Sequence, residues 1–125
     1  VNLLLDTHVL LWALASPDRL AAEPRRALEN PANTVFVSAV SAWEIEIKRG
    51  LGKLRAPADL EGEVRAVRFT ELPLRFRHVE ALARLPDLHR DPFDRMLVAQ
   101  AQVDDLTLVT HDRRLLDYPV RTLRV

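Results

Sequence analysis

A chain of 125 residues with 18 basic and 18 acidic side chains and no cysteine is expected to form a single domain spanning 1–125, burying about two thirds of its unfolded surface. The missing cysteines exclude disulfides and thiolate-held zinc or iron, and the zero net charge excludes a grossly cationic nucleic-acid binder, so any such contact must come from a local patch. Its longest apolar stretches, such as Val9 to Ala15, fall far short of the ~20 residues of a membrane span, and the N-terminus lacks a secretory pattern. A soluble, cytoplasmic protein without a membrane partner is expected.

Asn2 to Asp6 reads as a buried strand stopped by a carboxylate, and Thr7 opens a helical cluster that ends at Ser16-Pro17. Ser16 or Asp18 can cap a second helix, running to about Asn30-Pro31. Thr34 to Ser38 is a β-branched strand, and Ser38 or Ser41 then opens a helix through Arg49, stopped by Gly50 and Gly52. A further helix is predicted from about Asp59 to Val67. Phe69 to Leu74 is a weak strand that Pro73 marks as an edge or an early stop, and Arg75 to Leu85 is helical. Asp91-Pro92 begins the next helix with Asp as cap and Pro in the first position. Leu106 to Thr110 and Val120 to Val125 supply the last two strands. Strands separated by helices predict an α/β protein with a parallel sheet covered on both faces. In such sheets ligands bind beyond the carboxyl ends of the strands.

Asp6, Glu44, Asp94 and Asp112 fall at strand ends or on apolar helix faces. Carboxylates gathered from distant segments repel by roughly 3 kcal/mol per pair at about 5 Å and an effective dielectric near 20, so a fold that collects them has a cation to hold. Each acid also has a plainer reading. Asp6 could cap the following helix. Glu44 shares a predicted buried stripe with Val40, Ile47 and Leu51, while Glu46 faces away; Lys48, one turn on, offers a structural ion pair. Asp94 shares a face with Leu97, Val98 and Ala101, with Arg95 and Gln102 off it; with Asp91 it resembles an acidic capping box. Asp91 is read chiefly as the cap, with a secondary metal or water-positioning role as the alternative. Asp112 could close a Thr110-x-Asp turn. His8 and His111 flank acids and are possible substrate contacts, whereas Trp12 and Trp43 are expected to be core or interface aromatics rather than base-stacking platforms.

Four segments then carry a resemblance: LLLDTHVLLW from Leu3, VSAVSAWEIEIKRGLGKL from Val37, HRDPFDRMLVAQA from His89 and LTLVTHDRRL from Leu106. Their order and spacing resemble the PIN-domain nucleases and, within them, the VapC-type toxins of prokaryotic toxin–antitoxin pairs. The resemblance implies a doubly wound α/β/α sandwich with about five parallel strands. It implies Asp6, Glu44, Asp94 and Asp112 as the catalytic and metal-holding acids, with Thr110 as an accessory polar residue. The implied cofactor is Mg2+ or Mn2+, hard cations that take oxygen ligands. The implied reaction is hydrolysis of RNA to leave a 5′ phosphate, with one metal activating water and a second able to stabilise the leaving 3′ oxygen. Asp6 and Asp94 are the expected direct ligands; Glu44 and Asp112 bind directly, bind through water or orient the nucleophile. Arg90, Arg95, Arg113 and Arg114, close in sequence to the acids, are candidates to hold the RNA backbone. A VapB-type antitoxin and a second copy of the chain are the implied protein partners, and the apolar cluster Val9, Leu10, Leu11, Trp12 and Leu14, with Leu20, is the expected antitoxin groove.

Other classes fit less well. A phospho-accepting receiver domain wants paired acids after its first strand and an acceptor Asp after its third, where this chain has Asp6 alone and Leu72-Pro73-Leu74. A haloacid-dehalogenase-type phosphatase wants a second aspartate that Asp6-Thr7-His8 lacks. A non-catalytic RNA- or protein-binding module does not need intact acids, and a housekeeping RNA-processing nuclease remains the alternative within the same chemistry.

Overall fold

The computed structural model describes residues 1–125. Five strands, β1 (Asn2–Leu5), β2 (Thr34–Ser38), β3 (Thr70–Leu72), β4 (Thr107–Thr110) and β5 (Thr122–Arg124), form one sheet in the order β3-β2-β1-β4-β5. Every pair is parallel. The helices between them are α1 (Thr7–Ala15), α2 (Ala22–Glu29), α3 (Ala39–Gly50), α4 (Leu60–Ala66), α5 (Phe76–Leu82) and α6 (Pro92–Val103). None is long and apolar enough to cross a membrane.

Strand side chains alternate between two cores, as the two-residue period of a pleated strand requires. Leu4, Leu72 and Leu108 join Ala81 of α5 and Leu97, Val98 and Ala101 of α6 on one face. Leu3, Leu5, Val35, Val37 and Val109 join Val9, Leu10 and Leu11 of α1, Ile45 of α3 and Val64 of α4 on the other. The result is the expected doubly wound α/β/α sandwich. From β1 the chain winds outward through β2 and β3, then returns to β4 on the opposite side of β1. The strand order therefore reverses between β1 and β4, and a crevice opens at their carboxyl ends, where doubly wound sheets bind ligands.

Two local expectations give way to packing. A helix running continuously from Ser16 or Asp18 would place Pro24 in its interior, where the missing N–H and the ring both cost. Instead Pro17–Arg19 makes a single 3-10 turn, Leu20 turns extended, and α2 starts at Ala22 with Pro24 in its first turn. The break lets Leu20 enter the core at 6% exposure. On α3 the buried side is Val40, Ser41, Glu44 and Ile45, while Ile47 and Leu51 are exposed with Trp43 rather than buried with Glu44. Trp43 is thus no core residue; it is 58% exposed and meets Phe93 of α6 edge-on at 5.0 Å.

Candidate active site

Four elements deliver the acids to the crevice. Asp6 ends β1 and caps α1, its Oδ1 accepting from the Val9 amide at 2.8 Å. Its Oδ2 accepts from Thr110 Oγ1 at 2.6 Å and from the His111 amide at 3.3 Å. The Thr110 hydroxyl has one proton, which goes to Asp6, and its lone pair receives the Asp112 amide at 3.0 Å. One hydroxyl therefore sets the acid after β1 and the acid after β4 in register. Burial pushes the Asp6 carboxyl up, and the bonds from Thr110, Val9 and His111 oppose that shift.

Glu44 is 2% exposed, and both its oxygens are held. Oε1 accepts from Thr7 Oγ1 at 2.6 Å, which also stands 3.1 Å from Ser41 Oγ; Oε2 accepts from Lys48 Nζ at 2.5 Å. The Glu44 bond holds the Lys48 ammonium above its ordinary range. Asp91 caps α6 through the Phe93 and Asp94 amides, as the sequence predicts. Asp94 is pushed up to about 7, first by burial and then by the charges of Asp91, Asp6 and Glu44. Asp112 is held below its usual range mainly by Arg114, whose Nε and terminal nitrogen meet its two oxygens at 3.1 and 3.0 Å.

A cavity of about 400 Å3 collects these groups: Asp6, Glu44, Asp91, Asp94 and Asp112, with Lys48, Arg113 and Arg114 beside them. Carboxylates gathered on one cavity, one of them pushed up to about 7 by burial and by its acidic neighbours, form a donor set short of positive charge. Hard carboxylate oxygens fit Mg2+ or Mn2+.

His89, which carried no assigned role in the sequence, completes the set. Its side chain is 5% exposed, and Nε2 lies 2.9 Å from Asp94 Oδ2 and 3.2 Å from Asp112 Oδ2. These three residues can present ligand atoms within 4.8 Å of one another. The other ring nitrogen decides how His89 takes part: Nδ1 accepts the Asp91 amide at 3.4 Å, so Nε2 carries the proton and donates to the acids rather than offering a lone pair to a cation.

The PIN domain pattern matches residues 3–120. The chain belongs to the PIN domain family. It is 34% identical over 121 residues to a protein named Ribonuclease VapC22 from Mycobacterium tuberculosis, covering 91% of this chain and 89% of that one. A chain of the promoter-DNA-bound VapBC2 crystal structure from Rickettsia felis superposes with a TM-score of 0.74 at 16% identity, covering 100% of this chain and 99% of that chain. DNA-bound VapBC from Salmonella typhimurium gives 0.71 at 18% identity, over 99% of this chain and 98% of that one. At such identities the two structures establish likeness of fold.

Within this PIN fold the crevice brings together Asp6, Glu44, Asp91, Asp94 and Asp112, along with Arg113 and Arg114, while Thr110 acts from behind Asp6. Arg95 points elsewhere. Its guanidinium donates to the Pro86 carbonyl at 2.9 Å and to Tyr118 Oη at 3.2 Å, because one residue beyond Asp94 a helix has turned by about 100°. Arg90 is exposed and does not line the cavity. Proximity in sequence was the wrong guide for both. Thr7 and Ser41, read in the sequence only as helix starts, carried a further usable signal: Ser41 and Glu44 are three residues apart on one helix face, and Thr7 directly follows Asp6.

Proposed function

We propose that this chain is a metal-dependent endoribonuclease that hydrolyses RNA at the four-acid cavity, and that it is the toxin of a pair completed by a VapB-type antitoxin. The observation that carries the reading is the convergence of Asp6, Glu44, Asp94 and Asp112 on one cavity, with Asp94 pushed to about 7 by burial and its acidic neighbours. The 34% identity to a protein named a ribonuclease supports RNA as the substrate, and a cytoplasmic location goes with that substrate.

Asp6 and Asp94 would hold Mg2+ or Mn2+, with Glu44 and Asp112 completing the set directly or through water. When bound, the cation supplies Lewis acidity at the phosphate and lowers the pKa of water. The chain's own contribution is orientation. Thr110, the Val9 amide and the His111 amide fix both oxygens of Asp6, Thr7 and Lys48 fix Glu44, and His89 draws Asp94 and Asp112 together. Groups held this way need no reorganisation when charge develops at the phosphorus. Arg113, on the cavity wall and without an ion pair, is the cation left to meet a backbone phosphate. In the reaction a water oxygen bonds to phosphorus as the P–O3′ bond breaks, leaving a 5′ phosphate and a 3′ hydroxyl.

A groove of about 370 Å3 between α1, α2 and the segment before β3, lined by Ala13, Leu20, Leu28, Val67 and Phe69, supports the antitoxin assignment. Val9, Leu10 and Leu11 are spent in the core, so of α1 only Ala13, with Pro17 and Leu20 beyond it, and not its whole apolar cluster, borders the groove.

The test is cleavage of single-stranded RNA by the purified protein. Activity should require Mg2+ or Mn2+ and vanish in EDTA, and Asp6→Asn or Asp94→Asn should each lower it at least ~100-fold, the scale of losing electrostatic stabilisation at a reacting centre. Undiminished cleavage in chelator, or by both variants, would refute the mechanism.

A further inference from the structure

Trp12 is the single apolar side chain lining the acid cavity, and other rings gather on it. His8, one helical turn earlier on α1, places its ring 6.3 Å from the indole at an interplanar angle of 54°. His111, from the turn after β4, meets the indole edge-on at 5.1 Å and 73°. Arg19 lays its guanidinium over the same indole at 4.6 Å. Helical spacing alone explains the His8 contact, but His111 arrives from the far end of the chain. Core packing does not call for it either, since both imidazoles are exposed and the indole is half-buried.

Charge gives the rings a task. The cavity wall carries five carboxylates against Lys48, Arg113 and Arg114, and Lys48 and Arg114 are already paired with Glu44 and Asp112. Phosphate attraction is therefore weak, and a nucleic acid held here needs a contact that does not depend on charge. Stacking of bases on aromatic rings supplies one and tolerates any sequence. The rings are also in register with the acids. The His111 amide donates to Asp6, its ring Nδ1 donates to the Val125 carbonyl at 3.3 Å, and Asp6 caps the helix that carries His8 and Trp12.

We propose that His8, Trp12 and His111 form a nucleobase subsite beside the four acids, taking one unstacked base of single-stranded RNA while Arg113 meets the adjoining phosphate. This rests on the ribonuclease reading above. A cavity of about 400 Å3 lies within the ~300–1,000 Å3 range of small-ligand pockets, enough for one nucleotide. A duplex keeps its bases stacked inside and cannot present one without unpairing it.

The test measures binding of a fluorescein-labelled RNA of about eight nucleotides, a length within the span of single-strand sites, by anisotropy in EDTA at low salt. Three further RNAs are compared: the same strand with abasic positions, its duplex, and an unlabelled competitor. Trp12→Leu and His111→Ala should each weaken single-strand binding about tenfold, with Trp12→Phe close to wild type. Their losses should disappear on the strand lacking the bound base, the non-additivity expected of groups in direct contact. With Mn2+ present, the same variants should raise KM and leave kcat near wild type. His111→Ala changes an exposed ring and keeps the amide that binds Asp6, so it tests the subsite even if Trp12→Leu fails to fold. Wild-type-like binding by both variants, equal affinity for duplex, or loss of binding only to the antitoxin would overturn the subsite. If the wild type cleaves RNA while the variants bind it as tightly as wild type and abasic strands bind as tightly as intact ones, the subsite alone fails; if it neither binds nor cleaves RNA, the ribonuclease reading fails with it.

Discussion

At Asp94 burial and the charges of Asp91, Asp6 and Glu44 act in one direction, and the hydrogen bond from His89 opposes them. Its carboxyl titrates at about 7 in the folded chain and near 3.8 when unfolded. Between those values the native state holds a proton that the unfolded state has released, so this residue makes stability fall as pH rises through the window. Below about pH 4 both states are protonated and the penalty is absent; above about pH 7 both are ionised and it is complete, reaching up to roughly 4 kcal/mol at 1.36 kcal/mol per unit. Asp94→Asn, neutral throughout, should match wild type in stability near pH 4 and exceed it by a few kcal/mol near pH 8. Urea denaturation in EDTA across that range is the measurement, and parallel curves for the two proteins would show that Asp94 is not strained by its neighbours. Such an acid loses stability to the apo fold and recovers it only when a cation arrives, which is the thermodynamic mark of a residue kept for binding.

Between elements, the alignment of the acids depends on a buried polar clamp. Ser38, at the end of β2, donates to Gln100 Oε1 on α6 at 2.5 Å and accepts the Val40 amide at the start of α3. Gln100 Nε2 reaches the Pro73 carbonyl just after β3. Both side chains are 0–1% exposed, so the clamp ties together the helix carrying Glu44, the helix carrying Asp94 and two strands. Ser38→Ala should strand the Gln100 oxygen in a dry core and cost about 1–3 kcal/mol, seen as a Tm several degrees lower. Ser38→Thr, which keeps the hydroxyl, should cost less, and an unchanged Tm in Ser38→Ala would rule the clamp out. The strands, the α6 cap at Asp91 and the place of Asp6 and Asp112 at the carboxyl ends of their strands were legible in the sequence, because period, Pro-Gly punctuation and strand-end acids are local signals. The break before α2 was legible too, had Pro24 been weighed. What the sequence could not offer was reach: His89 bridging to Asp112, Thr110 bonding across to Asp6 and Gln100 answering Ser38 join residues distant in the chain, and no local signal pairs them. Helix phase was the other weak point. On α3 the apolar residues cover more than one face, so the stripe through Glu44 took in Ile47 and Leu51, which the fold leaves outside.

At the scale of the whole molecule those misplaced residues acquire a meaning. Trp43 and Ile47 on α3 and Leu51 just past its end follow one another at four-residue intervals and are 58%, 39% and 63% exposed, with Phe93 packed against the Trp43 ring. Four-residue spacing puts them on one side of the helix and its end, and a row of large apolar side chains left in water is the kind of patch through which proteins associate. It is separate from the groove lined by Ala13, Leu20 and Phe69, so the two protein partners expected from the sequence can have one surface each: a second copy on the α3 stripe, the antitoxin in the α1–α2 groove. Ile47→Asp places a charge in the middle of the stripe, where burial would leave it unpaired, and should convert a dimer to a monomer in sedimentation velocity at micromolar concentration without loss of the helical circular dichroism. The same variant should still bind the antitoxin, whereas Leu28→Asp, in the other groove, should weaken antitoxin binding and leave the dimer intact. A wild-type monomer at that concentration would refute self-association through α3. If either substitution abolished both associations, the surfaces would have to be one, because independent sites lose their partners independently.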